Sequence, residues 1–278
     1  MRLCRDRGPA DWVRGERKAC IVTHNLWGMS GLRGPITNGI LTSSDTHPVT
    51  VEQNHLLASL PRDEYARLLL DLEPVCLRTK HTVAHPDEPI RHVYFLRDAV
   101  VSLLVAMEDG STIEVASVGS EGLIGLGAFL GEGTETGPMV VQIPGRAARM
   151  TTTAFHEAVW RSARLQLLLQ RYTLAFINQL ARTAGCNRVH SVRQRCARLL
   201  LMIDDRLGRK TVPLTHESLA ILLGVRRASV TEAALAFHRL GLIEYQRGNI
   251  CIMDRDGLEA VACEDYRLSR QGYDRIYR

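Results

Sequence analysis

Residues Thr215 to Tyr245 read THESLAILLGVRRASVTEAALAFHRLGLIEY, and this stretch decides the fold. Its apolar and small residues, among them Leu219, Ala220, Leu223, Val225, Val230, Ala233 and Phe237, keep a helical period on both sides of Gly224. That is the pattern of two short amphipathic helices joined by a turn. Thr215 is a good N-cap for the first helix, and Glu217 sets a negative charge in its first turn, against the positive end of the helix dipole. Ala220 is small enough to let two helices cross closely, and Gly224 supplies the permissive backbone of the turn. With Val230, Ala233, Ala234 and Phe237 facing inward, the second helix turns Arg226, Arg227, Ala228, Thr231, Glu232 and Leu235 outward, as a recognition helix does in a major groove. The following GLIEYQRGNICIMD reads as strand, turn at Arg247-Gly248-Asn249, strand. A helical hairpin with a merely solvated basic face is the weaker reading, because cap, turn glycine, small crossing residue and wing all agree. The expectation is a winged helix-turn-helix that binds double-stranded DNA through Thr215, Ser218, Arg226, Arg227, Ser229, Thr231, Glu232, Arg239 and Arg247.

Working outward, the 16 residues Val192 to Leu207 form a further helix with Ala197, Leu200, Leu201 and Ile203 inward, ending at Gly208. Before it lies FHEAVWRSARLQLLLQRYTLAFINQLARTAGCNRVHSV, read as one long helical stretch. A helix of this length cannot lie on one small barrel throughout, so its stripe, including Leu165, Leu168, Tyr172, Phe176 and Leu180, is expected to form a two-fold seam with a second copy. Burial against the chain's own barrel is the alternative.

From Glu73 to about Met150 the period changes to two. VCLRTKHTV, HVYFLRDAVVSLLVAM, TIEVASV, MVVQIP and RAARM are short strands between turn signals such as His85-Pro86-Asp87 and Pro144-Gly145, the signature of an antiparallel barrel or jelly-roll. Between them, GSEGLIGLGAFLGEGTETG (119–137) is too irregular for a strand and predicts a loop with a short helix, where backbone amides could meet a ligand. VEQNHLLASLPRDEYARLLLDL (51–72) predicts two short helices broken at Pro61. Residues 1–50 show no sustained period and read as a poorly ordered extension, with Met29 as an alternative start.

The charge is divided unevenly. Residues 51–150 hold 8 Lys+Arg against 14 Asp+Glu, a net of −6, whereas residues 151–278 hold 20 against 12, a net of +8. This suits a nucleic-acid domain joined to one that does not touch nucleic acid. No run reaches the roughly 18 to 20 apolar residues of a membrane span, so a cytoplasmic protein is expected. The cysteines, Cys4, Cys20, Cys76, Cys186, Cys196, Cys251 and Cys263, include no C-x-x-C pair, so no metal site is expected and the thiols are read as reduced.

This order of parts resembles the Crp/Fnr family of bacterial transcription regulators over about residues 51 to 262, most specifically in LTHESLAILLGVRRASVTEAALAFHRLGLIEY and also in CNRVHSVRQRCARLLLMIDDRLG. The resemblance implies an α+β protein: a cyclic-nucleotide-binding-like effector barrel (51–155), a dimerisation helix (156–190), a winged helix-turn-helix (191–262) and a tail (263–278). It implies a homodimer, RNA polymerase as a partner and a small-molecule effector, unidentified here. It also places Arg227 where the family has an arginine that reaches guanine, with Ala228 in place of a common glutamate and Glu232 in place of a second arginine.

The effector site departs from the members that bind cyclic AMP. Where those carry a Gly-Glu pair and an Arg-Ser or Arg-Thr pair, the corresponding positions here are Gly125-Leu126 and Thr136-Gly137, and the adenine-facing positions on the long helix are Leu180 and Ala181. No Arg or Lys lies between Gly119 and Gly137; Arg146 and Arg149 on the next strand are the only cations near enough to substitute. Cyclic AMP is therefore not expected to bind, and the cofactor is unknown. An iron–sulfur cluster is not expected from Cys4 and Cys20 alone. Two rival readings are a constitutive or architectural DNA-binding protein whose barrel only dimerises, and a cupin-like metalloenzyme built on His81, His85 and His92. The second is weak, since His81 and His85 would stand about 13 Å apart along a strand. No nucleophile elbow, Walker loop or zincin motif is present, and no enzyme is expected.

Overall fold

The computed structural model describes residues 54–86, 88–108, 112–208, 211–246 and 248–277. The expectation for residues 1–50 and the wing residue Arg247 lie outside them. Two short helices, α1 (His55–Ala58) and α2 (Arg62–Leu68), precede eight strands: β1 (Glu73–Leu77), β2 (Thr82–Ala84), β3 (His92–Leu96), β4 (Val100–Ala106), β5 (Thr112–Val118), β6 (Leu123–Ile124), β7 (Met139–Ile143) and β8 (Gly145–Thr151). These form two four-stranded antiparallel sheets, ordered β1-β8-β3-β6 and β2-β7-β4-β5, the double-sheet jelly-roll that the period of two announced. Val75, Leu77, Phe95, Val101, Leu103, Val118, Leu123, Val141 and Met150 share its buried core. The glycine-rich segment holds the expected short helix, α3 (Leu126–Leu130), and also a two-residue strand, β6, too short for alternation to reveal.

The long helical stretch is divided. Ser162 leaves helical geometry (φ −125°, ψ 101°) and its hydroxyl accepts from the Leu165 amide, so α4 (Thr152–Arg161) ends and α5 (Ala163–Val189) is capped afresh. At 27 residues α5 spans about 40 Å. The residues expected to form an intermolecular seam lie elsewhere: Leu165, Leu168, Tyr172 and Phe176 are buried in the chain's own core with the barrel residues, and Leu180 packs against its edge. Tyr172 Oη donates to Leu123 O (3.4 Å), and a Cβ at Gly122 would stand only 2.2 Å from that hydroxyl, so the glycine is what lets the helix settle so closely on the barrel. The first four turns of α5 are barrel lid. Its outward face carries a second stripe, Leu167, Leu174 and Ile177, the last two 61% and 53% exposed, continued by Ala181. Leu167, Leu174 and Ala181 are seven residues apart, the spacing of a coiled-coil seam.

His190 and Ser191 turn the chain sharply into α6 (Val192–Leu207), where Ser191 and Gln194 form a capping box and Gly208 (φ 59°) closes the other end. Then follow β9 (Thr211–Val212), α7 (His216–Leu223), α8 (Arg227–Arg239), β10 (Ile243–Gln246) and β11 (Asn249–Ile252). The wing is three-stranded, β10-β11-β9, with β9 adding an edge that two residues could not signal in sequence. Helices α9 (Arg255–Val261) and α10 (Asp265–Asp274) finish the chain. The tail is more than a terminal helix: Tyr273 Oη donates to Gln179 Oε1 of α5 (2.8 Å), Tyr277 Oη donates to Glu121 O, and Ile276 joins the barrel core. No helix among the described residues is long and apolar enough to cross a membrane.

Candidate DNA interface and effector loop

Helices α7 and α8 meet as their sequence pattern requires. Thr215 Oγ1 accepts from the Ser218 amide at 3.1 Å, Gly224 takes φ 61° as the left-handed cap of α7, and its amide closes on Ile221 O. Val230, Ala233, Ala234 and Phe237 are buried with residues of α6 and α7 in a second core, which also takes in Val100 and Ile143 of the barrel strands. Their helical spacing turns Arg226, Arg227, Ala228, Glu232 and Arg239 to the exposed side, with Ser229 half-buried. Arg226 is the N-cap residue of α8 and its side chain makes no capping bond. Arg227 is 70% exposed and its Nε lies 3.9 Å from Glu217 Oε2, an open surface pair of small energetic weight. Both arginines stand at the positive end of the helix, where an outside anion would offset the dipole.

Three of the expected contact residues, Thr231, Thr215 and Ser218, are engaged within the protein. Thr231 Oγ1 donates back to Arg227 O (3.1 Å) and lies 3.2 Å from His216 Nδ1, stapling α8 to α7. Thr215 and Ser218 hydroxyls meet at 3.0 Å. The His216 ring also packs, tilted by 40°, at 4.6 Å from that of Tyr245 of the wing, and burial with the nearby Arg227 charge pushes its imidazole below the ordinary value. A neutral His216 suits a strut between helix and wing. Arg239 stands twelve residues along α8 from Arg227, about 18 Å away, so the two cannot read one base step.

The effector positions are brought together differently from what the pattern implied. Gly125 (φ 96°) and Gly127 open and enter α3, and their amides are taken by the chain's own Glu135, whose buried carboxyl is pushed above its usual range by desolvation against those two hydrogen bonds. Leu126 is buried in the core, Thr136 is exposed, and Gly137 is pressed so closely on Leu104 O that a Cβ would stand 2.2 Å from it. Ala181 is exposed on α5 and Leu180 half-buried, so neither faces a common cavity with Thr136. Arg146 is held on Asp98 (Nη2 to Oδ2 2.6 Å, Nε to Oδ2 2.9 Å), and Arg149 Nε on Glu73 Oε2 at 3.0 Å. Neither cation is uncommitted.

Sequence reading missed the tie between the two domains. Glu121, read as a loop acid, is buried and accepts from the Gly119 amide (3.1 Å) and from Arg206 of α6, Nη2 to Oε1 at 2.7 Å. Arg206 also donates to Ser117 Oγ (2.7 Å) and Ser117 O (2.8 Å). Beside it, Glu114 of β5 is buried against Ser102, and desolvation pushes its carboxyl up to about 7. Arg206 follows the apolar stripe of α6 at a position that periodicity marks only as helix end.

A double-sheet barrel is here joined through a long helix to a winged helix-turn-helix, a module whose second helix suits a DNA major groove. Residues 194–261 match the family described as the Crp-like helix-turn-helix domain. No curated protein matches the sequence. Among solved structures, FixK2 from Bradyrhizobium japonicum is 17% identical with a TM-score of 0.57, the match covering 69% of this chain and 98% of that one. CLP of Xanthomonas campestris, described as a c-di-GMP responsive global regulator, is 16% identical (TM-score 0.56; 70% of this chain, 100% of that one). A CooA variant from Carboxydothermus hydrogenoformans is 17% identical (TM-score 0.52; 78% and 96%). At these identities the structures speak for the fold, and the family match speaks for the DNA-binding domain. The chain thus carries a Crp-like helix-turn-helix domain within a fold similar to that of these regulators.

Proposed function

We propose that this protein acts in the cytoplasm as a homodimer that reads a two-fold operator with Arg226, Arg227 and Glu232 of α8, in concert with RNA polymerase. The observation that carries the proposal is the outward face of α8, whose two leading arginines stand exposed at the positive helix end, Arg227 only loosely paired with the exposed Glu217 at 3.9 Å. The dimer is proposed to form along Leu167, Leu174, Ile177 and Ala181, the face of α5 that its own barrel leaves uncovered. Arg227 is assigned a guanine contact and Arg226 a phosphate contact. The barrel is assigned a neutral or apolar effector, or a purely structural interior. Glu135 beside the amides of Gly125 and Gly127 supports this, since the chain's own carboxyl group lies where an anionic ligand would need those amides.

Sedimentation and footprinting test the reading together. Wild type is expected to be a dimer at micromolar concentration that protects two half-sites about one helical turn apart. Ile177→Asp would put an unpaired carboxylate in the seam and is expected to give folded monomer that protects neither half-site firmly. A monomeric wild type, or a dimer undisturbed by Ile177→Asp, would reject the seam.

A further inference from the structure

Cys186 and Cys263 are 77 residues apart in sequence, yet their sulfurs lie 3.5 Å from each other. They belong to a group of four: Cys186, His190, Cys263 and Asp265 offer one ligand atom each, all within 4.8 Å of one another. Cys186 lies on the last turn of α5 and His190, four residues on, is the C-cap whose amide closes on Cys186 O, which brings the two side chains to the same end of the helix. Cys263 and Asp265 flank Glu264 at the junction of α9 and α10. We propose that these four residues bind one divalent zinc ion, which clamps the C-terminal helix to the far end of the long helix.

The sulfurs are within reach of a thiol hydrogen bond, and the distances among the four also fit a shared ion. The sulfurs are far outside the roughly 2.05 Å of a disulfide, and near the about 3.8 Å edge of a tetrahedron with Zn–S bonds of about 2.3 Å. His190 Nδ1 is buried without a hydrogen-bond partner, 3.7 Å from Asp265 Oδ2. That separation is too long for a hydrogen bond and ordinary for two ligands of one ion. The outer faces of the same groups are already held. His190 Nε2 stands 3.2 Å from Glu264 Oε2, the carboxylate partner that orients a metal-bound imidazole, and Asp265 Oδ1 accepts from Arg182 Nη1 at 3.1 Å. The remaining donor positions therefore converge on one point.

Charge and chemistry narrow the ion. Two thiolates with an imidazole and a carboxylate select zinc among the common divalent ions. Three anionic ligands exceed the ion's charge by one, and Arg198 lies close enough to both sulfurs to help offset the difference. The Asp265 amide also supports the Cys263 sulfur as an anion. A surface cavity lined by Ala262, Cys263, Glu264 and Arg267 opens beside the site and gives an ion a way in. The clamp sits where the tail returns to the rest of the molecule: α10 sends Tyr273 to Gln179 of α5, while Arg255 at the start of α9 pairs with Asp205 of α6 at 2.5 Å.

The test uses the full chain, reduced, stripped with a chelator and titrated with zinc against a chromophoric competitor, then with cobalt(II) followed by absorption. Expected are one tight equivalent of zinc that needs Cys186 and Cys263, and a cobalt spectrum with tetrahedral d–d bands and sulfur-to-cobalt charge transfer. Cys263→Ser and Cys186→Ser are expected to abolish the charge-transfer band, and His190→Asn to shift the d–d bands. Glu264→Gln, an exposed change that leaves all four ligands in place, is expected to weaken zinc binding roughly 10- to 100-fold with unchanged circular dichroism. Failure of the reduced wild type to take up zinc, or a cobalt spectrum indifferent to Cys263→Ser, would overturn the proposal.

Discussion

The outward face of α8 and the glycine-rich loop of the barrel are the two surfaces of this fold placed to meet a ligand, and they are finished in opposite ways. On α8 the cations stand in solvent, the nearest internal acid to Arg227 being 3.9 Å away. In the loop the buried acids turn inward: Glu121 is answered by Arg206 and the Gly119 amide, and Glu135 lies against the amides of Gly125 and Gly127, with one carboxyl oxygen buried unpartnered. A surface that keeps its charges unpaired holds free energy ready for a partner, because no internal bond must be broken first. A loop that has spent its amides and acids on itself holds none. The difference implies that mutations in the loop act on stability, while mutations on α8 act on binding.

The largest effect is expected at the loop's link to α6. Arg206 and Glu121 are both buried, and Arg206→Ala would leave the carboxylate without its cation, costing about 3 to 5 kcal/mol in denaturant unfolding. Loss of less than about 1 kcal/mol would show that water reaches the pair and that the loop is as open as α8. Arg227→Ala is expected to leave the unfolding midpoint within the small range of a surface change.

Glu114 should give the same junction a pH dependence. Its carboxyl is raised from 4.5 to about 7 by burial, so between those values the folded chain binds a proton that the unfolded chain has released. Stability therefore falls as pH rises through this window and levels off above it, by about 3 kcal/mol in all. Glu114→Gln is expected to raise stability at pH 8 and to flatten the slope between pH 5 and 7, measured as unfolding free energy against pH. A wild-type profile that rises over the same window would place a charged partner beside Glu114 stronger than Arg206 and Arg198.

On α8 the effects are smaller and specific. Arg227→Ala is expected to lose about 1 to 3 kcal/mol of discrimination at one base step. Arg226→Ala should weaken all sequences alike and lower the salt slope by about one unit. An operator library with both variants checks this; identical profiles would remove the division between base and phosphate contact.

What could be read in advance follows the range of the forces involved. The helix-turn-helix was legible because cap, turn and apolar stripe are local, and Thr215, Gly224 and Phe237 each act within a few residues. The barrel was legible as alternation, though β6 and β9, two residues each, carry too little pattern. Contacts between distant segments were not legible: Glu121 with Arg206, Cys186 with Cys263, and Tyr273 with Gln179 join residues 77 to 94 positions apart. The stripe of α5 misled for a related reason. Periodicity shows that Leu165, Leu168, Tyr172 and Phe176 face something apolar, without showing whether it is a second chain or the same one. The weaker stripe at Leu167, Leu174 and Ala181 had a heptad signal that the stronger one hid.

The smallest effect expected is none at all, and it bears directly on the loop. Cyclic AMP or cyclic GMP at 1 mM should not raise the melting temperature, although a micromolar binder would add about 4 kcal/mol at roughly a thousandfold excess. Two separate features of the loop underlie this expectation: no Arg or Lys lies between Gly119 and Gly137 to pair a phosphate, and Glu135 lies against the amides of Gly125 and Gly127. Glu135→Gln tells them apart. It removes the competing charge and keeps the side chain's size, so binding gained in this variant would show that the internal carboxylate alone excludes the anion. Continued absence of binding would show that the missing cation decides, since an unpaired buried phosphate costs several kcal/mol whatever occupies the amides. A thermal shift in wild type would break the comparison itself: either Arg146 would have to leave Asp98, or Arg149 would have to leave Glu73, and Asp98→Asn and Glu73→Gln should then each change the affinity if their arginine is the one that moves.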